Sequence, residues 1–362
     1  MTNVARAGTV YYGKYIVDII GEFTVGAAGI ANIREWPVPV AQLTTNGNGI
    51  VQGITYGLQQ PIWFALQRGH RLVELDPATG LFTAYGGNAA NGYPIPYPID
   101  VAADNEGNIW FTGSGTTGAL VGALHTGSGF VTYWDLPIAC LSPFAIWAEA
   151  DGSAVWFTVN NSSATGTGAY LGRLRPFTNT LDYWSTAGAT RPVGQGITGW
   201  PATGTTDIWF GTWSADAVYR LDVSLGTFTE YLRTSASGYP IALTSDRLGN
   251  CWIGSYFSRL SEIAVGCHGA PVAFNQTTVA VKGTVMPTIR ARQKVVPRVS
   301  NVPATPIVPT SAKDHCYNDI VLPSPPRFQV GGVALTPGPN GSGPPVYFSE
   351  AEGYRIGCFT PP

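Results

Sequence analysis

Short apolar and β-branched runs recur along the chain, each cut off by Gly, Pro, Asn or Asp. GIVQGITYG, PIWFAL, RLVELDPATG and LFTAYG follow one another between residues 49 and 86, which reads as four strands separated by turns. The same order returns as YPIDVAADNEGNIWFTG, LVGALHTGSG and FVTYWDLP from residue 97, and as SPFAIWAEADGSAVWFTV, YLGRLRPFTN and TLDYWST from residue 142. Further copies begin near residues 195 and 238. Trp63, Trp110, Trp156, Trp209 and Trp252 occupy one phrase, IWF, IWF, VWF, IWF or CWI, at intervals of roughly 43 to 53 residues. A period of this length with four strands per unit predicts a β-propeller of four-stranded blades.

Each position in the unit has a physical reason. First strands such as Gly53 to Thr55, Gly196 to Thr198 and Pro240 to Leu243 are small and apolar because innermost strands crowd the channel. The turn at 104–108, echoed at 151–152 and 246–250, pairs Asp for backbone capping with Gly for positive φ. The Trp-Phe pair of the second strand supplies buried area between blades. Arg71, Arg173, Arg220, Arg259 and Arg355 recur near the start of the third strand. They read either as a ligand-binding ring or as repeated ion pairs, and repetition favours the scaffold role.

The ends of the chain bear on blade number. Residues 328–359 read as first, second and third strands, and residues 9–39 as second, third and fourth. Counting second-strand motifs at Tyr11, Trp63, Trp110, Trp156, Trp209, Trp252 and Tyr347 gives seven blades; the alternative is six, which leaves residues 1–28 as a spare β arm seeking a partner edge. Residues 275–327 lack the Trp-Phe phrase and form a Pro-rich insertion between the sixth and last blades. Its cations Lys282, Arg290, Arg292, Lys294 and Arg298 make it a candidate interaction arm. The alternative is a segment packed on its own propeller.

Charged residues are 12% of the chain, with a formal charge of −2, which gives no electrostatic reason to bind nucleic acid. The 45 Gly and 28 Pro suit many strands joined by turns. No run reaches the length of a transmembrane helix, and the N-terminus lacks the pattern of a secretory signal. Sequons at Asn160, Asn161, Asn275 and Asn340 are candidate glycan sites if the protein is exported, and an extracellular or cell-surface setting is slightly favoured. Of five cysteines, Cys267 and Cys316 bracket the insertion and are the candidate disulfide, while Cys251 reads as a buried thiol. Cys267-His268 and His315-Cys316 would make a zinc set only if the two pairs met.

The phrases GIT, NIWFT, YLGRL and FTEY resemble those of the streptogramin B lyase (virginiamycin B lyase) family over most of 30–265 and 328–358. The resemblance implies a seven-bladed propeller in which histidines of PHGI-like phrases, glutamates and a magnesium ion open a lactone by elimination. Here the matching phrases NGIVQGI, PYPIDV, LSPFAI, GQGI, GYPIAL and VGGVAL hold no histidine. Glu350, in YFSE, matches the family's WFTE glutamate and with Glu352 makes a candidate divalent-cation pair. His70, His125, His268 and His315 fall in third-strand or loop contexts and read as surface residues. With the general acid and base absent, the sequence reads as a non-catalytic structural or protein-interaction module that self-assembles through its arm and insertion. The alternative is a lyase-like or carbohydrate-active enzyme with an altered site at the channel mouth.

Overall fold

The computed structural model describes residues 4–6, 9–14, 18–26, 29–44, 49–57, 61–87, 95–115, 118–137, 142–159, 170–185, 196–202, 205–211, 217–233, 240–245, 251–255, 259–263, 274–280, 284–286, 291–295, 298–304, 313–314, 319–321, 330–335, 346–350 and 355–359. Beyond residue 304 the description is of backbone course alone.

The fold is all-β and built from antiparallel sheets arranged as a propeller. Six sheets carry four or five strands, and a further sheet carries three. The sheet spanning residues 51–86 shows the plan: Val51–Tyr56 is innermost, followed outward by Ile62–Leu66, Arg71–Asp76 and Leu81–Gly86. Innermost strands pack on one another in sequence order, Val51–Tyr56 on Pro98–Ala103, then Pro143–Ala148, Ile197–Ala202, Pro240–Ser245 and Val330–Leu335.

The repeated Trp-Phe phrase explains how the sheets hold together. Strand alternation sends neighbouring side chains to opposite faces, so each Trp faces the following blade and each Phe the preceding one. Trp63 accordingly clusters with Ile109 and Phe111, Trp110 with Phe157, and Trp156 with Ile208 and Phe210. Tyr11 takes the tryptophan's place in the first sheet and packs with Phe64. Ile62–Leu66 and Val155–Val159 are buried at every position, as sheets covered on both faces require.

A second aromatic layer lies on the fourth strands. Trp110 stacks on Trp134 and Trp156 on Trp184, with centroids 5.6 and 5.4 Å apart. Third-strand glycines make room for the phenylalanines: a Cβ on Gly122 would lie 2.3 Å from Phe111, and one on Gly172 2.4 Å from Phe157. Gly172→Ala should therefore destabilise the fold by about 1–3 kcal/mol through overpacking, measured by denaturant titration. Asp104 caps its turn as its sequence suggests, accepting the Glu106 and Asn108 N–H groups at 2.9 Å, with Gly107 at φ +85°. It also takes the Trp110 indole N–H at 2.8 Å, which ties the turn to the core.

The insertion is spent on the chain's own sheets. Phe274–Ala280 pairs with Thr227–Arg233, Thr284–Met286 with Thr180–Ser185, Ala291–Val295 with Phe130–Asp135, and Arg298–Pro303 with Leu81–Gly86. It thus adds a fifth strand to four successive sheets while running backwards around the rim. Farther on, Asp319–Val321 pairs with Arg355–Phe359 and provides the last sheet with a fourth strand. The unit that begins near residue 238 shows three strands among the described residues, because Phe274–Ala280 joins the preceding sheet instead. A strand at Val4–Arg6 pairs with Thr9–Lys14, so residues 4–37 form one four-stranded sheet. These pairings cover edges that would otherwise template association.

Candidate functional site

Cross-strand pairing defines one end of the sheets. Val51 lies opposite Leu66, Leu66 opposite Arg71, and Arg71 opposite Gly86. The start of the first strand, the turn between second and third strands, and the end of the fourth therefore share a rim. Where innermost strands begin, that rim is the channel mouth.

Four non-glycine residues with left-handed backbone meet there: Asp18 at φ +48°, Ile50 at +82°, His70 at +53° and Tyr97 at +44°. For a β-branched residue such as Ile50 this geometry costs roughly 1–3 kcal/mol and persists only where its surroundings impose it. Asp18 supplies the constraint, its Oδ1 accepting the Ile50 and Val51 N–H groups at 2.7 and 3.0 Å. From the other side, the Ile50 carbonyl accepts the Gln67 N–H at 2.9 Å. His70 Nδ1 accepts the Tyr97 N–H at 3.0 Å, and burial lowers its pKa. The imidazole is thereby held neutral, as the tautomer carrying its proton on Nε2, and fixes the chain three residues before Asp100.

Asp100 is the group of most chemical interest. It lies on Pro98–Ala103, an otherwise apolar innermost strand, and is 8% exposed. One oxygen accepts its neighbour's Val101 N–H at 2.9 Å, and the other accepts Ile146 N–H of the next sheet at 3.1 Å. On the opposite side, a Cβ at Gly53 would fall 2.2 Å from Oδ1, so only glycine fits beside the carboxyl. Burial pushes its pKa up to about 7 despite the two N–H donors. A carboxyl poised near neutrality where three inner strands meet is equipped to exchange protons.

Other titratable groups serve structure. His125 lies between Asn108 Oδ1 and Thr132 Oγ1 at 2.6 and 2.8 Å, a satisfied pair of contacts. Arg173 pairs with Asp182 at 2.6 Å and lies over the Trp156 and Trp184 rings, and Arg220 pairs with Asp207 at 2.5 Å beside Trp209. The scaffold role expected for the repeated arginines fits these two. Cys251 is buried.

The remaining candidates are dispersed. The Glu350 backbone lies opposite Val330 and Arg355; its side chain and all of Glu352 lie outside the described residues. So do Cys267, Cys316, His268, His315, Lys282, Arg290, Asn160, Asn161 and Asn340. Arg292 lies opposite Tyr133, Lys294 opposite Val131, and Asn275 opposite Leu232. The Arg298 guanidinium sits 5.3 Å from the Tyr85 ring centre. It lines a cleft of about 610 Å³ with Trp63, Glu74 and Asp76, away from the mouth. Among the described residues no three His, Cys, Asp or Glu side chains converge as a metal site. No helix among the described residues is long and apolar enough to cross a membrane.

Sequence reasoning passed over Asp100 because it sought histidines in the inner-strand phrases. The available signal was an acidic residue within PYPIDV, at a position where the sister phrases are small or apolar.

The sequence pattern of the Virginiamycin B lyase family matches residues 19–269. A streptogramin B lyase structure is 20% identical, with a TM-score of 0.53 over 69% of this chain and 73% of that one. A catalytically inactive histidine-to-alanine variant of virginiamycin B lyase from Staphylococcus aureus, solved with quinupristin, is 20% identical, with a TM-score of 0.57 over 72% and 78%. No curated protein matches the chain.

Proposed function

The chain belongs to the virginiamycin B lyase family, and on that premise we propose that it is a lyase-type enzyme whose reacting centre lies at the channel mouth around Asp100. Membership of an enzyme family overturns the expectation of a non-catalytic module, which rested on the missing histidines. The observation that carries the proposal is the buried Asp100 carboxyl, with a pKa of about 7, inside a phrase that matches the family's histidine-bearing ones.

In its ionised form Asp100 acts as the general base. It takes the proton from a carbon next to a carbonyl; that C–H electron pair becomes the new C=C bond, the C–O bond of a neighbouring ester breaks, and the ester leaves as a carboxylate. A base whose pKa lies near the working pH combines availability with basicity. His70 is a positioning residue, since its hydrogen bond to Tyr97 N–H fixes the approach to Pro98–Ala103. No step is routed through a metal.

The fold is further proposed to have seven blades, with the three-stranded sheet of Pro240–Ser245, Cys251–Ser255 and Arg259–Ile263 as the sixth. Val4–Arg6 packs against both Val51–Tyr56 and Val330–Leu335, which supports closure of the ring by the first sheet.

The test is incubation with a cyclic ester, quinupristin first, followed by mass spectrometry. Elimination opens the ring without changing its mass, whereas hydrolysis adds a water. Asp100→Asn should slow opening by about 10²–10⁴-fold. The wild-type rate should rise with pH through about 7, as Asp100 loses its proton, and then level off. An unaltered rate in the variant, or a product heavier by one water, would rule this reading out. Release of sugar from a glycoside panel would instead support the carbohydrate-active alternative.

A further inference from the structure

The mouth holds a second charged side chain that the elimination does not use. Arg71 is 4% exposed, yet among the described residues its Nε and Nη1 have no hydrogen-bond partner. Its Nη2 donates to the Gly87 carbonyl across 3.3 Å. Nε and Nη2 form one donor edge of a guanidinium and the two Nη groups the other, so each edge of Arg71 presents an unpaired N–H.

The surroundings are those of a cradle. Gly86 and Gly87 adopt φ +102° and +71°, and a Cβ on Gly87 would lie 2.5–2.7 Å from Nε, Cζ and Nη2. No described carboxylate forms an ion pair with Arg71, in contrast to Arg173 and Arg220 with Asp182 and Asp207. Burial lowers its pKa, the mark of a cation removed from water without compensation. A buried charge in that state gains most from an anion brought in from outside.

We infer that Arg71 is the binding group of an oxyanion subsite on the rim of the channel mouth, next to His70, that takes a carboxylate or phosphate oxygen. The guanidinium binds the anion through its unpaired N–H groups, and the glycine cradle keeps side chains off it. A carboxylate freed by ring opening and an inorganic phosphate carry the same recognition chemistry. The subsite stands on the geometry of Arg71 and not on the role of Asp100.

Calorimetric titration with acetate and, separately, with inorganic phosphate, at ionic strength held constant with chloride, tests it. Wild type should bind at least one of them at a single site, and R71M should weaken that binding at least tenfold. R71M should also be no less stable than wild type in chloride alone, whereas an arginine with a purely structural role would leave it less stable. Stronger binding of acetate identifies a carboxylate subsite, and stronger binding of phosphate a phosphate subsite. G87A, which keeps the arginine but fills its cradle, should weaken binding as well and serves if R71M does not fold. D100N should bind the anion as wild type does, so failure of the catalytic reading leaves this one standing. Absence of saturable binding to wild type, or equal binding by R71M, overturns the subsite.

Discussion

Asp100→Asn should abolish a fall in stability that the wild-type protein shows between about pH 4 and pH 7. The ordinary value for the group is 3.8, and burial raises it to about 7 in the folded chain. Between these values the folded state keeps the proton while the unfolded state has released it. Stability therefore declines as pH rises through the window and is greatest, as far as this group is concerned, below about pH 4. The span of the effect is on the order of 4 kcal/mol, large against the roughly 5–15 kcal/mol that hold a domain folded. Asparagine does not titrate, so the variant's stability should run flat across the window apart from other groups. Urea midpoints at intervals of pH check this directly. Parallel curves for the two proteins would show that Asp100 is not the source, and would remove the electrostatic basis of its assigned role.

Trp156→Ala should cost about 3–5 kcal/mol, enough to leave the protein partly unfolded at ambient temperature. The side chain is fully buried and packs into the interface with Ile208 and Phe210. It stacks on Trp184 with planes 20° apart, lies under the Arg173 guanidinium at 5.0 Å, and donates its indole N–H to Glu149 at 3.0 Å. Truncation opens a cavity between two blades and deprives Glu149 of a donor. A milder pair separates these contributions. Trp156→Phe loses the hydrogen bond as well as volume, whereas Trp209→Phe loses volume alone because the Trp209 indole nitrogen has no partner among the described residues. The first should be the more destabilising by about 1 kcal/mol, read from thermal or denaturant melts.

The blades were legible in the sequence because a strand that must bury one aromatic on each face writes Trp-Phe at every turn of the ring. Even the tyrosine variant at Tyr11 kept its place. What escaped was set by pairing across loops of unequal length. Arg173 lies opposite Trp156 and Asp182, and Arg220 opposite Trp209. Glu74 occupies the corresponding place opposite Trp63, which leaves Arg71 opposite Leu66 and Gly86. Arg71 thus resembled its sister arginines in sequence while sitting in a different row, without their carboxylates. The acidity of Asp100 was hidden for a related reason. It arises from burial among inner strands that bring in Gly53 and Ile146, roughly 46 residues away on either side, and no local pattern records that approach. The insertion was visible as a break in the Trp-Phe pattern, but its strand partners lay in four different units.

The backward course of that insertion has a consequence for how the protein is made. Synthesis proceeds from the N-terminus, so the strands at Leu81–Gly86, Phe130–Asp135, Thr180–Ser185 and Thr227–Arg233 all leave the ribosome before Phe274–Pro303, the segment that pairs with them. The sheet finished earliest is covered last, because Arg298–Pro303 comes at the far end of that segment. Nascent chains on one messenger therefore carry rows of unpaired backbone groups side by side, the condition under which neighbouring chains trap each other. A slow ribosome lengthens that interval, and a fast one closes it.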